Sequence, residues 1–584
     1  MADSQTALAA DPQVALAEQV SAALVAEFGP EFASADPVIR PSAFADFQSN
    51  VALALGKRLG QPPREVASRV AGHLTSSPMF ELVEVSGPGF INITLSDKWI
   101  AEQASAQLAD PRLGVARTDQ PQRVVVDYSA PNVAKEMHVG HLRVTVVGDA
   151  FVRVLEYLGH HVIRANHIGD WGTQFGLLLE HLIDVGEEAA YAQLAAGEIN
   201  AFYQAAKVSF DSDPAFADRA RRRVVALQAG DPETLRLWEM MINDSKQYYN
   251  TIYRRLEVTL TDADLAPESF YNPMLEQVCR DLEAAGVATI SDGALCAFPP
   301  GFTNRDGSPL PLILRKSDGG YGYGTTDMAA IRYRVNDLHA DRMTYVVGSE
   351  QSQHLAMVFA VARQAGWLPD SVRAEHADVG MVTGTDRKRF RSRTGASVKL
   401  IDLIDEAIAR AEEVIKDRYD EPEFRAQIAD AVGIGALKYA DLSVARDSSY
   451  VLDFDRMLTL TGNTGPYLQY ATARIRSIFA RAGLRPDQAS GPIVLVEQAE
   501  RELALRVLGY EAALTQTVDT VEPHRLAAFL FDLASDFTTF YEQCPVLKAA
   551  EPAVKQSRLA LAALTLAVLM SGLDLLGIPV PDRM

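Results

Sequence analysis

Two histidines three residues apart, His138 and His141, flank Gly140 where the apolar stretch Arg123-Val124-Val125-Val126-Asp127-Tyr128 has given way to a loop. Beyond them Leu142, Val146, Ala150, Val154 and Leu158 recur at helical spacing, so the histidines stand at a helix start. A helix start offers unpaired N–H groups and partial positive charge, and a glycine beside two imidazoles lets a polyphosphate approach closely. The chemistry favoured is therefore phosphate binding; zinc would ask for further His, Cys or carboxylate ligands, and none is evident nearby. Packing or a plain surface helix start is the alternative for such a spacing taken alone. Lys135 adds a charge three residues before His138.

A second basic element lies at 387–393, where five of seven residues are Arg or Lys. Taken alone it is equally a charged surface turn. A cluster at Arg219, Arg221, Arg222 and Arg223 reads either as a phosphate contact or, more simply, as a solvated helix face.

The elements that must position these residues alternate. From Arg123 the pattern runs strand, helix, strand (from His161), then helices over about 185–290, then strands at Leu310–Arg315, Met343–Val347 and about 377–382, each followed by a polar or glycine-rich loop. Such alternation predicts a parallel sheet with helices on both faces, in which ligands bind beyond the carboxyl ends of the strands. The loops 316–327, 348–354 and 384–395 are expected to converge there with the His138 loop. A helix is expected from Met328, capped by Thr325 or Thr326. Before this core, residues 1–110 read as a small α/β unit with helices at 12–28 and 42–59 and a strand pair at 80–85 and 90–95, followed by a linker at 110–122. After 398 nearly everything is helical: about 399–418, 424–446, 456–483, 497–519, 523–543 and 552–575, with Glu412 and Lys416 spaced as an i,i+4 pair.

The chain has 584 residues, enough for three or four domains at roughly 150 residues each. A formal net charge of −21 argues against a general nucleic-acid coat protein but leaves room for a basic face on an acidic body. Cys279, Cys296 and Cys544 form no CxxC pair, which fits a reduced, cytoplasmic setting. No basic leader is expected at the N-terminus and no apolar run of the ~18 residues a membrane span needs; the Ala/Leu-rich run near 559–570 reads as a buried helix.

The run from Ser129 to Arg143 closely resembles the "HIGH" element of class I aminoacyl-tRNA synthetases, and its flanks resemble the arginyl family. Arg389-Phe390-Arg391-Ser392-Arg393 resembles the degenerate "KMSKS" loop of that family, with Ser392 in place of the usual second lysine. Thr461-Gly462-Asn463-Thr464-Gly465-Pro466 and the residues through Arg476 look like the opening of its anticodon-binding domain, and Pro579–Met584 resembles its ending. The resemblance implies a multidomain α/β protein: an N-terminal tRNA-contacting domain (1–115), a Rossmann-like parallel-sheet catalytic core (120–398) with a helical insertion, and an all-α region (399–584) whose anticodon-binding part begins near 456.

It also implies L-arginine, ATP with Mg²⁺, and tRNA(Arg) as partners, no membrane, no permanent cofactor, no protein metal site, and a monomer. His138, Gly140, His141, Arg389, Arg391 and Arg393 would meet ATP, with Lys135 supplying the charge missing at Ser392. Asp127 and Asp327 would hold the arginine side chain beside Tyr323, a pairing that suits a planar guanidinium better than a compact ammonium. Ala130, Pro131, Asn132 and Gln351 would frame its backbone groups, with His141 close by. Gly324 departs from an acidic residue common in relatives. Tyr470, Arg474, Tyr541 and Met584 would surround anticodon bases, though core packing also explains both tyrosines. The competing classes are a synthetase or nucleotidyltransferase for another substrate and a synthetase-like RNA-binding protein without activity.

Overall fold

A computed structural model describes residues 11–195, 199–384, 386, 390 and 398–584. The first hundred residues pack helices Pro12–Phe28, Val51–Leu59 and Pro63–Leu74 on an antiparallel sheet ordered Ile39–Pro41, Phe47–Ser49, Phe90–Leu95, Phe80–Ser86. The helix expected over 42–59 begins only at Val51, because Phe47–Ser49 pairs with Ile91–Ile93 as a strand and buries Phe47 and Ser49. Residues 110–122 contain no helix or strand, yet they are strapped down. Arg112 donates to the carbonyls of Val115 and Tyr157, and the Thr118 N–H donates to Leu158 O.

The central sheet is parallel, ordered Arg373–His376, Arg342–Val346, Arg123–Tyr128, His161–Ala165. Arg342–Val346 is buried throughout, and Arg123–Tyr128 from its second residue on, as expected for a parallel sheet covered on both faces. Gly148 lets helix Val139–Leu158 lie against the central strand, since a Cβ there would fall 2.4 Å from Tyr128.

Three expectations for this region need correction. The edge strand is Arg373–His376 rather than 377–382, and Val382–Thr383 leaves the sheet to pair with Tyr450–Val451. Leu312–Arg315 is not in the parallel sheet; it pairs antiparallel with Ala294–Ala297 in a separate three-stranded sheet. The next helix starts at Tyr323, five residues before Met328, and neither threonine caps it: Gly322 is the N-cap, while Thr325 turns inward to donate to Leu314 O.

The stretch expected as a helical insertion, about 185–290, holds helices Glu187–Ala195, Ile199–Ser212, Pro214–Gln228, Pro232–Arg255 and Asn272–Ala284, with Thr173–Val185 packed against the first four. Within the arginine cluster, Arg219 and Arg223 share Glu180, and Arg221 meets Asp218.

The C-terminal region is helical apart from the short strand Tyr450–Val451 and its connecting segments, and its long helix Pro552–Leu575 is mostly buried. That helix is, against expectation, long and apolar enough to cross a membrane, but 78% of its apolar window is buried inside the protein. The helix expected from 456 begins at Gly465, where Thr464 caps it by accepting from the Tyr467 N–H, and the one expected over 497–519 breaks at Gly509. The pair Glu412–Lys416 does not form; Lys416 meets Glu413, and Glu412 meets Arg425.

Side-chain joints bind the parts together. Arg501 reaches from the C-terminal bundle to Asp46 and Asp97 of the N-terminal unit. Arg143, on helix Val139–Leu158, pairs with Asp441 of helix Pro422–Leu442 with both side chains buried. Nearby Lys438, fully enclosed, donates to Leu256 O, and burial brings its ammonium down to about 8.

Candidate active site

The carboxyl ends of the parallel strands open into a cavity of about 760 Å³. Asp127, Ala130, Asn132, His138, Gly140, His141, Tyr323, Asp327 and Gln351 all line it. Pro131 does not; its carbonyl accepts from the Gly169 N–H.

The loop leading to the histidines is held in unusual backbone conformations, with φ of 72° at Ser129, 44° at Ala130 and 57° at Ala134. Each costs on the order of 1–3 kcal/mol for a residue with a side chain and persists only where its surroundings over-determine it. Here they do. Ser129 Oγ contacts Tyr253 OH at 2.8 Å, and the N–H groups of Ala130 and Ala134 donate to Asn166 and Ser245 at 3.0 and 3.1 Å. Val133 N–H donates to Gly169 O, and a Cβ on Gly169 would meet Asn132 Oδ1 at 2.5 Å.

His138 is the N-cap of helix Val139–Leu158, and its Nδ1 accepts from the Gly140 N–H at 3.0 Å. His141 Nδ1 accepts from the His138 N–H at the same distance, and the rings stand 4.1 Å apart. In a neutral imidazole whose Nδ1 accepts, the proton is on Nε2, so each ring is fixed as an Nε2–H donor. Burial, then the neighbouring His138, pushes His141 down to about 3, which keeps it neutral at working pH. A side chain at Gly140 would lie 2.8 Å from His138 Cε1 and close this arrangement.

The carboxylates also line the cavity, neither of them alone. Asp127 accepts from Arg334 Nη2 at 2.5 Å, with both residues buried, and Arg334 lies over the Tyr345 ring. Asp327 accepts from His354 Nε2 at 2.6 Å, and the Tyr323 ring lies 4.7 Å from that imidazole. Both acids line the cavity, but each already spends one oxygen on an internal cation or donor. A third acid, Glu268, was not anticipated. Burial first, then Asp170 and Asp327, raises its carboxyl to about 8. Glu268, His354 and Arg334 carry no motif or spacing in the sequence, and only His354, at the end of the loop 348–354, stood in a segment expected at the site.

Lys135 does not line the cavity; its ammonium lies 4.9 Å from the Tyr203 ring on helix Ile199–Ser212. Arg389, Arg391 and Arg393 lie outside the described residues. The flanks of that stretch are fixed beside the site, with Val382–Thr383 paired to Tyr450–Val451 and Val398 O accepting from the Val139 N–H.

Outside the cavity lining, Arg474 stands between two aromatic rings, 5.1 Å from Tyr470 and 5.6 Å from Tyr541, all three half-buried. The C-terminal segment ending in Met584 is tied alongside, with Arg476 donating to Pro581 O.

Three family models match the chain. The N-terminal domain of arginyl tRNA synthetase covers residues 14–95, the class I (R) tRNA synthetase catalytic domain covers 103–454, and the DALR anticodon binding domain covers 468–584. An arginine–tRNA ligase of Thermobifida fusca is 61% identical over 577 residues, spanning 98% of this chain and all of its own length. That of Edwardsiella ictaluri is 48% identical over 578 residues, with the same coverage. Among solved structures, arginyl-tRNA synthetase from Plasmodium falciparum superposes with a TM-score of 0.83 at 27% identity, covering 99% of this chain and all of that one. The Thermus thermophilus enzyme gives 0.82 at 25%, covering 98% and 100%. With likeness running end to end through the core that carries the histidine and carboxylate walls, the chain belongs to the arginyl-tRNA synthetases, class I ligases that join arginine to tRNA.

Proposed function

We propose that the cavity is where L-arginine and ATP react, with the phosphates against the histidine wall and the guanidinium against the carboxylate wall. The observation that carries this is the meeting of two fixed neutral Nε2–H donors and the acids Asp127, Asp327 and Glu268 in one cavity. The arginine carboxylate attacks the α-phosphorus, the bond to pyrophosphate breaks, and arginyl-adenylate remains. A ribose hydroxyl at the tRNA 3′ end then attacks the adenylate carbonyl, and AMP leaves.

Such a reaction needs alignment and charge stabilisation rather than covalent catalysis. His138 and His141 donate to the triphosphate without carrying charge, Gly140 keeps the helix start open, and Arg389, Arg391 and Arg393 supply positive charge with Lys135. Mg²⁺ arrives with ATP. Asn132 and Gln351, with Ala130 and Pro131, frame the amino and carboxyl groups of arginine, and Tyr323 covers its side chain. Lysine would leave a buried carboxylate unmatched, and sites of this kind reject an analogue by about 10⁴–10⁵, so no editing domain is required.

The proposed division is a tRNA-contacting domain over 1–115, the catalytic core over 120–398, and a helical region over 399–584 in which Tyr470, Arg474, Tyr541 and Met584 receive bases of the tRNA(Arg) anticodon. The enzyme acts as a cytoplasmic monomer. Pyrophosphate exchange with each amino acid, with and without tRNA(Arg), tests the reading: exchange is expected with arginine alone among them and only when tRNA is present. Exchange with another amino acid would overturn the substrate, and strong exchange without tRNA would overturn the tRNA requirement.

A further inference from the structure

Glu136 lies two residues before His138, and its side chain is only 4% exposed. Both carboxylate oxygens are committed: Oε1 lies 2.7 Å from Lys399 Nζ, and Oε2 accepts from Asn200 Nδ2. Asn200 also accepts from the Glu136 N–H, at 3.5 Å, so one amide brackets this residue front and back.

These partners come from distant stretches. Asn200 opens helix Ile199–Ser212 of the insertion, the same helix whose Tyr203, one turn on, lies under Lys135. Lys399 caps helix Leu400–Ile415, and its backbone is bridged antiparallel to His138. That bridge is flanked by Val139 N–H to Val398 O at 3.0 Å and Leu400 N–H to Met137 O at 2.8 Å. Lys399 therefore touches the His138 segment twice, by backbone pairing and through the Glu136 carboxylate. A buried carboxylate is costly unless paired and hydrogen-bonded, and its geometry is correspondingly well specified.

We infer that Glu136 is a positioning residue for adenylate formation, the buried joint through which the insertion and the start of helix Leu400–Ile415 hold His138 in register. It touches neither substrate. It rests on the proposed reading of the cavity, and its loss displaces an Nε2–H donor aimed at the phosphates while leaving the carboxylate wall intact.

The test uses the full-length protein with tRNA(Arg), measuring arginine-dependent pyrophosphate exchange for wild type, Glu136→Gln, Lys399→Met, the double variant and Lys399→Arg. Absence of exchange by wild type would count against the cavity reading itself. Given wild-type exchange, each single change is expected to lower kcat about tenfold with the arginine KM held within about twofold, and the double variant to lose no more than either single one, because the two residues act through one pair. Lys399→Arg, which keeps the charge, should stay within about twofold of wild type. Unchanged kcat in Lys399→Met, losses that multiply in the double variant, or a raised arginine KM without a kcat effect would each overturn the inference. Lys399 is 41% exposed, so its substitution leaves a folded protein to measure even if Glu136→Gln does not.

Discussion

The two walls of the cavity solve opposite problems. The histidine wall is neutral: both imidazoles are held by backbone N–H groups, and burial keeps His141 uncharged. The carboxylate wall is charged, and its acids are steadied by internal partners, Arg334 for Asp127 and His354 for Asp327. A neutral donor costs little to bury and gains strength when negative charge develops opposite it, whereas a buried carboxylate needs a cation nearby whether or not substrate is present. On the proposed reading, the histidine wall answers the transition state and the carboxylate wall the identity of the amino acid.

The largest break in that contrast should come from Asp327→Asn. Asparagine keeps an acceptor for His354 but removes the charge, so arginine kcat/KM should fall by roughly 3–5 kcal/mol, the scale of a broken buried pair, with ATP KM unchanged. Steady-state kinetics in both substrates decides it; an unaltered arginine kcat/KM would take Asp327 off the recognition wall. His138→Ala should follow, lowering kcat about 10²–10³-fold as expected for one preorganised donor, while arginine KM holds. A loss confined to arginine KM would mean that the walls are not separate in function.

Lys135→Ala separates charge from packing. If the ammonium over Tyr203 still acts on the phosphates, kcat falls about tenfold at constant melting temperature; if it only packs on the insertion, melting temperature falls and kcat does not. The activity outcome is expected.

The smallest effect is a pH slope from Glu268. Its folded-state value of about 8 exceeds the ordinary 4.5, so its contribution to stability is complete below 4.5 and is lost as pH rises through 8. Arginine binding favours the ionised form, so binding below pH 8 should release a proton, measurable by calorimetry in buffers of different ionisation enthalpy. Glu268→Gln should abolish both the release and the stability slope; a release that persists would place the proton elsewhere.

The histidine wall was legible because its parts are local: strand, loop, helix start and cap fall within some twenty consecutive residues. The carboxylate wall was only half legible. Asp127 and Asp327 were singled out through resemblance, but Arg334, His354 and Glu268 come beside them through the tertiary fold, which no local pattern encodes. The edge strand was misplaced for a related reason. Arg373-Ala374-Glu375-His376 looks too polar for a strand, yet Glu375 is satisfied by Arg342 on the neighbouring strand, while the apolar residues after it pack beyond the sheet. Leu312–Arg315 shows that a run of strand formers announces extension but not the sheet it joins.

Helix Val139–Leu158 has 20 residues and a length of about 30 Å, with the imidazoles at one end. Its far portion is gripped where Arg153 donates to Asp574 O and Arg112 holds Tyr157 O, and its near portion where Arg143 meets Asp441. As a lever pivoting at the far end, it moves the imidazoles by about 1 Å for every two degrees of tilt. An error of about 1 Å can cost 10²-fold in rate. On the proposed reading, the angular tolerance of catalysis is thus set in part by Arg153 and Arg112, which do not line the cavity, and the C-terminal bundle that supplies Asp441 and Asp574 acts as the bearing on which the chemistry turns.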